Sequence, residues 1–194
     1  MSNAVDLIAE KLDPQGIFNA WSALVVYVTA LSVMFLLAHF DLWPLTTVPS
    51  LMKQPVLGLV WTAIALGGGL ALFQLGTGPL QMAPVVFLVT VPIPFIFGTI
   101  IVLNMLQNSV FSKLTQPTKG AANAIAAAVV GTLLAQMFRM LAGILTGELK
   151  AGAPAYESEI WLASALLSVT FPFLIFFAEF FKFWPLHRNN GNPK

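Results

Sequence analysis

Cysteine is missing from all 194 residues, which excludes disulfides, thiolate metal sites and cysteine nucleophiles. Charge is almost as scarce. Only 9% of the residues are Asp, Glu, Lys or Arg, where ordinary soluble domains carry about 25%. A net charge of +1 leaves no basic patch to neutralise phosphates, so no nucleic-acid partner is expected. Catalytic templates are missing as well. The chain has no GxSxG, HExxH, P-loop or GxGxxG in the required context, and Gly67-Gly68-Gly69 lies inside an apolar run as a helix-packing triplet. No cofactor and no catalytic residue are expected, and a membrane enzyme ranks third among the function classes. His39 and Glu179 could supply two metal ligands, but a site needs three or four, so no metal is expected. Pairing His39 with His187 as haem ligands is equally weak.

What fills the chain instead is apolar. The sequence is 58% hydrophobic with a mean hydropathy of +0.84, more apolar surface than a globule of this size can hide. Five runs approach or exceed the roughly 20 residues that a spanning helix needs: Trp21–Leu42, Val56–Leu75, Pro84–Leu106, Ala121–Thr146 and Ile160–Phe183. The runs are continuous rather than alternating, and an open sheet edge cannot face lipid, so helices are expected rather than strands. The expected fold is an all-α, multi-pass integral membrane protein, a single membrane domain over residues 1–194. Such a protein points to the plasma (inner) membrane of a bacterium. Residues 1–20 carry Asp6, Glu10 and Asp13 where a signal peptide would be basic, with Val5, Ile8 and Leu12 on one helical face. A short amphipathic segment at the membrane surface fits that pattern, as does a partly ordered terminus. Residues 184–194 form a polar tail.

Lysine and arginine outside the runs set the orientation. Lys11 and Lys150 lie on one side, and Lys53, Lys113, Lys119, Lys182, Arg188 and Lys194 on the other. Two against six places the amino terminus outside and the carboxyl terminus in the cytoplasm.

One motif is used twice. Gln54-Pro55-Val56-Leu57-Gly58 and Gln116-Pro117-Thr118-Lys119-Gly120 share the pattern QPxxG, and the same offset pairs Gly69 with Gly131 and Gln74 with Gln136. Proline suits a first helical turn, and a glycine one turn later lets a neighbouring backbone come close. The ends of two odd-numbered runs also echo each other, Phe40-Asp41-Leu42-Trp43-Pro44 against Phe181-Lys182-Phe183-Trp184-Pro185. The expected plan is two parallel helical hairpins followed by a fifth helix. The bland alternative is that Gln-Pro and Trp-Pro simply punctuate helices.

Few residues could carry chemistry. Arg139 is the only charge well inside a run, and it shares a helical face with Thr132 and Gln136. Burying it in hydrocarbon costs between about 2.5 and well over 10 kcal/mol. Arg139, Gln136, Gln74, Thr132 and Thr90 are the candidate ligand-binding residues, for an anionic or carbonyl-bearing ligand; snorkelling of Arg139 to the outer face is the alternative. A second small-residue stripe, Ala124, Ala128, Gly131 and Ala135, could pack against another helix. Pro92 and Pro94 interrupt the third run and free the carbonyls of Leu88 and Thr90; Pro172 does the same for Ser168 in the fifth. Broken helices at such depth are tolerated where backbone lines a cavity or is buried in protein. His39, Asn104 and Glu179, with Asp41, Gln107 and Asn108, form an inner polar belt; pairing of Glu179 with Lys182 is the simpler account of that carboxylate.

The expected function is an oligomeric channel or transporter component for a small solute. A non-catalytic subunit that anchors or assembles a larger membrane complex is the alternative. The expected partners are the lipid bilayer and either further copies of the chain or other membrane subunits.

Overall fold

The computed structural model describes residues 20–106 and 110–181. The segment before Ala20, the tail with its Trp184-Pro185 echo and His187, and Lys182, Gln107 and Asn108 lie outside the described residues.

Among the described residues, seven α-helices and two π segments build five stretches long and apolar enough to cross a membrane, and no strand occurs. Helix α1 (Ala20–His39) and α2 (Val56–Thr77) form the first two spans. The third span is composite: α3 (Pro84–Thr90), α4 (Pro92–Ile100) and a π segment (Ile101–Met105). Helix α5 (Thr118–Leu145) is the fourth span. The fifth joins α6 (Glu157–Ala165), a π segment (Leu166–Thr170) and α7 (Phe171–Phe181).

The ends follow local chemistry. Helix α1 stops at His39, short of the expected Leu42, because Asp41 and Leu42 adopt left-handed φ of 51° and 65°. Helix α5 begins at Thr118, three residues ahead of the expected Ala121, and α6 at Glu157, ahead of Ile160. Pro55 and Pro117 sit at the N-cap rather than inside the first turn as expected; their carbonyls take the first helical bonds, from Leu59 and Ala121. Glu157 and Glu159 accept the amides of Lys150 and Gly152, which folds the preceding loop onto the start of α6.

The third span breaks where its prolines predict. Residue 92 has no N–H for the Leu88 carbonyl, and the residue before a proline is pushed out of ideal helix geometry; Val91 has φ −112° and ψ −73°. In the fifth span the helix widens into a π segment directly before Pro172, with Phe171 donating five residues back to Leu166. That extra width moves backbone away from the proline ring.

The third span is the most buried of the five, whereas the second is mostly exposed. Glycines set the approach of the helices. A Cβ at Gly69 would lie 2.7 Å from the Ala30 backbone of α1. One at Gly131 would strike the Pro94 carbonyl, and one at Gly98 the Ala127 carbonyl, so α4 and α5 touch backbone to backbone. Phe87 of α3 fills the space over Gly76 of α2. Val89, Phe97, Phe138, Leu162 and Leu166 join the third, fourth and fifth spans in one core, while Val25, Phe87 and Leu88 join the first and third in another.

Candidate functional site: a groove at the broken third span

Where α3 gives way to α4, the bundle opens into a groove of about 290 Å³. Four spans wall it. Helix α1 contributes Ser32 and Val33, α2 Leu72, the break Thr90 and Pro94, and α5 Thr132. The close α4–α5 contact at Gly131 and Pro94 places Thr132, the next residue on α5, beside the break. No ionisable side chain lines the groove.

Of its three hydroxyls, that of Ser32 donates to the Thr29 carbonyl of its own helix, as those of Thr29, Thr77 and Thr146 do within theirs. The hydroxyls of Thr90 and Thr132 make no hydrogen bond among the described residues, and both side chains are exposed. The Thr90 carbonyl has also lost its helical donor, since residue 94 is a proline. Two unpaired hydroxyls and a carbonyl without its i+4 donor therefore lie within an otherwise apolar surface, where hydrocarbon satisfies none of them.

The other ligand candidates are not brought into this groove. Gln74 and Gln136 are exposed on α2 and α5, outside the lining. Arg139 is half-buried, also outside the lining, with no hydrogen bond or ion pair among the described residues. At the preceding residue, Trp161 Nε1 donates to the Phe138 carbonyl at 3.0 Å and ties α6 to α5. The small-residue face that packs runs through Gly120, Ala127, Gly131, Ala135 and Ala142, leaving Ala128 exposed.

The residues of the expected polar belt are dispersed. His39 is wholly buried; its Nε2 lies 3.0 Å from Thr99 Oγ1, its Nδ1 has no hydrogen-bond partner, and Phe95 meets its ring edge-on. Asn104 is exposed and lines a separate crevice of about 340 Å³ with Phe35, Met105 and Leu174. Glu179 is exposed on α7, next to Ala178 of that crevice. Among the described residues no three His, Asp or Glu side chains come together to hold a metal ion.

Gln116 has a role that reading the motif for its proline and glycine does not reveal. Its Oε1 accepts the Gly120 amide at 3.0 Å, capping α5. Its Nε2 donates to the His39 carbonyl at 3.1 Å and to Asp41 Oδ2 at 2.9 Å. Lys119 pairs with the same carboxylate at 3.2 Å. The Gln116 hydrogen bond, followed by Lys119, holds the Asp41 carboxyl below its ordinary value, with partial desolvation opposing them. The signal was the repeated glutamine itself; the partners lie some 75 residues away in sequence. Thr99 gave no signal at all.

Comparison with protein-family models, with curated proteins and with solved structures finds no match to this chain.

Proposed function

We propose that this protein is a subunit of an oligomeric channel or transporter for a small solute, with the groove at Val91 as the solute contact. The observation that carries the reading is the pair of free hydroxyls, Thr90 and Thr132, at a helix break walled by four spans. Broken spans that expose backbone at a cavity are how helical membrane proteins present polar contacts within a bilayer. The stripe of exposed Thr132, exposed Gln136 and half-buried Arg139 leads away from the groove along α5. A second copy covering Gln136 and Arg139 would satisfy polar groups that lipid cannot.

The proposed architecture is a duplicated hairpin, α1–α2 and then the third span with α5. Its support is that the repeat-related glycines, Gly69 and Gly131, each meet the preceding span backbone to backbone. The Lys/Arg bias supports an amino terminus outside and a carboxyl terminus in the cytoplasm, in a bacterial plasma membrane. Single cysteines at Gly152 and Asn190 should label from opposite faces of intact cells; labelling from one face overturns that orientation.

Purified protein in liposomes should raise solute flux above that of empty vesicles, and Thr132→Val should lower it. The assembly-subunit reading draws on α2, most of whose apolar side chains are exposed among the described residues. A stoichiometric foreign protein that co-purifies with a flux-silent chain would favour it.

A further inference from the structure

We infer that the groove at Val91 takes a small uncharged amphiphile, with one head group that both donates and accepts hydrogen bonds, such as an alcohol or a primary amide. The inference rests on reading this groove as the solute contact, and it names the class of molecule.

Three observations select the class. First, none of the residues lining the groove is ionisable, so a charged head would lose its hydration without gaining a counter-charge. Second, the polar groups there are complementary. The Thr90 and Thr132 hydroxyls can donate, and the Thr90 carbonyl, deprived of its donor by Pro94, can accept. An alcohol or amide offers both halves of that exchange, whereas an ether or ketone offers one and an alkane neither. Third, the remaining walls are apolar, including Val33, Leu72 and Phe95, which suits a hydrocarbon body. The groove opens at exposed Leu72, Val91 and Thr132, on the surface these apolar spans turn toward lipid. A molecule dissolved in the bilayer can therefore reach it sideways.

The test uses the full chain in phosphatidylcholine nanodiscs and a medium-chain primary alcohol carrying an aliphatic diazirine. After irradiation, adducts should map to Leu72, Val91 or Phe95. Ile144, 78% exposed near the far end of α5, reports simple partition into lipid. Octanol and octanamide should displace the groove adducts and leave those at Ile144. Octanoate and octylammonium should need concentrations about ten-fold higher or more, because the groove offers them no counter-charge. Thr132→Val should weaken groove labelling about five-fold, the loss of one hydrogen bond. Thr132→Ser, which keeps the hydroxyl, should restore it and so separates hydrogen bonding from a packing defect.

Groove adducts displaced no better than those at Ile144, or displaced equally by octanoate, would overturn the inference. So would Thr132→Val labelling like the unaltered protein. Labelling and flux are separate readouts. Selective labelling without flux in liposomes removes the transport reading and leaves the ligand class standing; flux that Thr132→Val does not change, without selective labelling, removes this ligand and leaves transport.

Discussion

Gln116 donates its carboxamide to Asp41 at 2.9 Å, which fastens the start of the fourth span to the end of the first. The carboxylate is ionised in that arrangement, and its pKa in the folded protein lies below the ordinary 3.8. Its contribution to stability is therefore present above that value and lost as pH falls through the lower, folded-state pKa. The Asp41 side chain is 55% exposed, so solvent screening limits the pair to about 0.2–1 kcal/mol. Thermal unfolding in nanodiscs should show Asp41→Asn slightly less stable than the parent at pH 7, with the gap closing below pH 3.8. A gap that persists undiminished in acid would assign the effect to something other than the carboxylate's charge.

Glycine substitutions should divide sharply. Gly98→Ala and Gly131→Ala drive a methyl into the carbonyls of Ala127 and Pro94, and should cost about 1–3 kcal/mol or more. Gly67 and Gly143 meet nothing within 4 Å, so alanine there should be neutral or stabilising by up to ~1 kcal/mol. Melting temperatures of the four variants check this ordering directly.

Freedom from cysteine makes cross-linking clean. A cysteine replacing Gln136 should form a disulfide-linked dimer on mild oxidation, because a second copy is proposed to cover that stripe. A cysteine replacing Leu59, 67% exposed on α2, should remain monomeric. The reverse result would put the subunit contact on the second span.

Arg139 tests whether the stripe takes part in transport. Arg139→Lys should cut liposome flux roughly ten-fold or more with the protein still folded, since a point-charge ammonium cannot reproduce the planar fork. Arg139→Leu should abolish flux. If Arg139→Leu instead keeps full flux and raises the melting temperature, the guanidinium merely snorkels to the surface.

The five long apolar stretches were legible because a bilayer demands unbroken runs of one length, and few other folds do. The break at Val91 was legible because Pro92 and Pro94 remove specific hydrogen bonds whatever surrounds them. Helix ends were harder: nothing in Phe40-Asp41-Leu42 announces two left-handed residues. The face of α5 was only half legible. Small residues surround this helix, so periodicity alone could not choose between Ala128, which is exposed, and Ala127, which is wholly buried. The meeting of Thr90 with Thr132 and the clasp of Gln116 on Asp41 depend on how distant spans pack, and local patterns do not encode that.

The break at Val91 divides the third span between two neighbourhoods. Helix α3 is keyed to the second span where Phe87 covers Gly76, and it shares the core of Val25 with the first. Helix α4 is keyed to the fourth span through Gly98 and Gly131. Val91 is thus the knee between a half keyed to Gly76 of the second span and a half keyed to Gly131 of the fourth, with the groove in the crook of the joint. Flexing the knee would change the spacing of Leu72 and Thr132. The His39–Thr99 hydrogen bond crosses from the first span to α4. It is a stay across that joint, and it would feel the strain of any such bend.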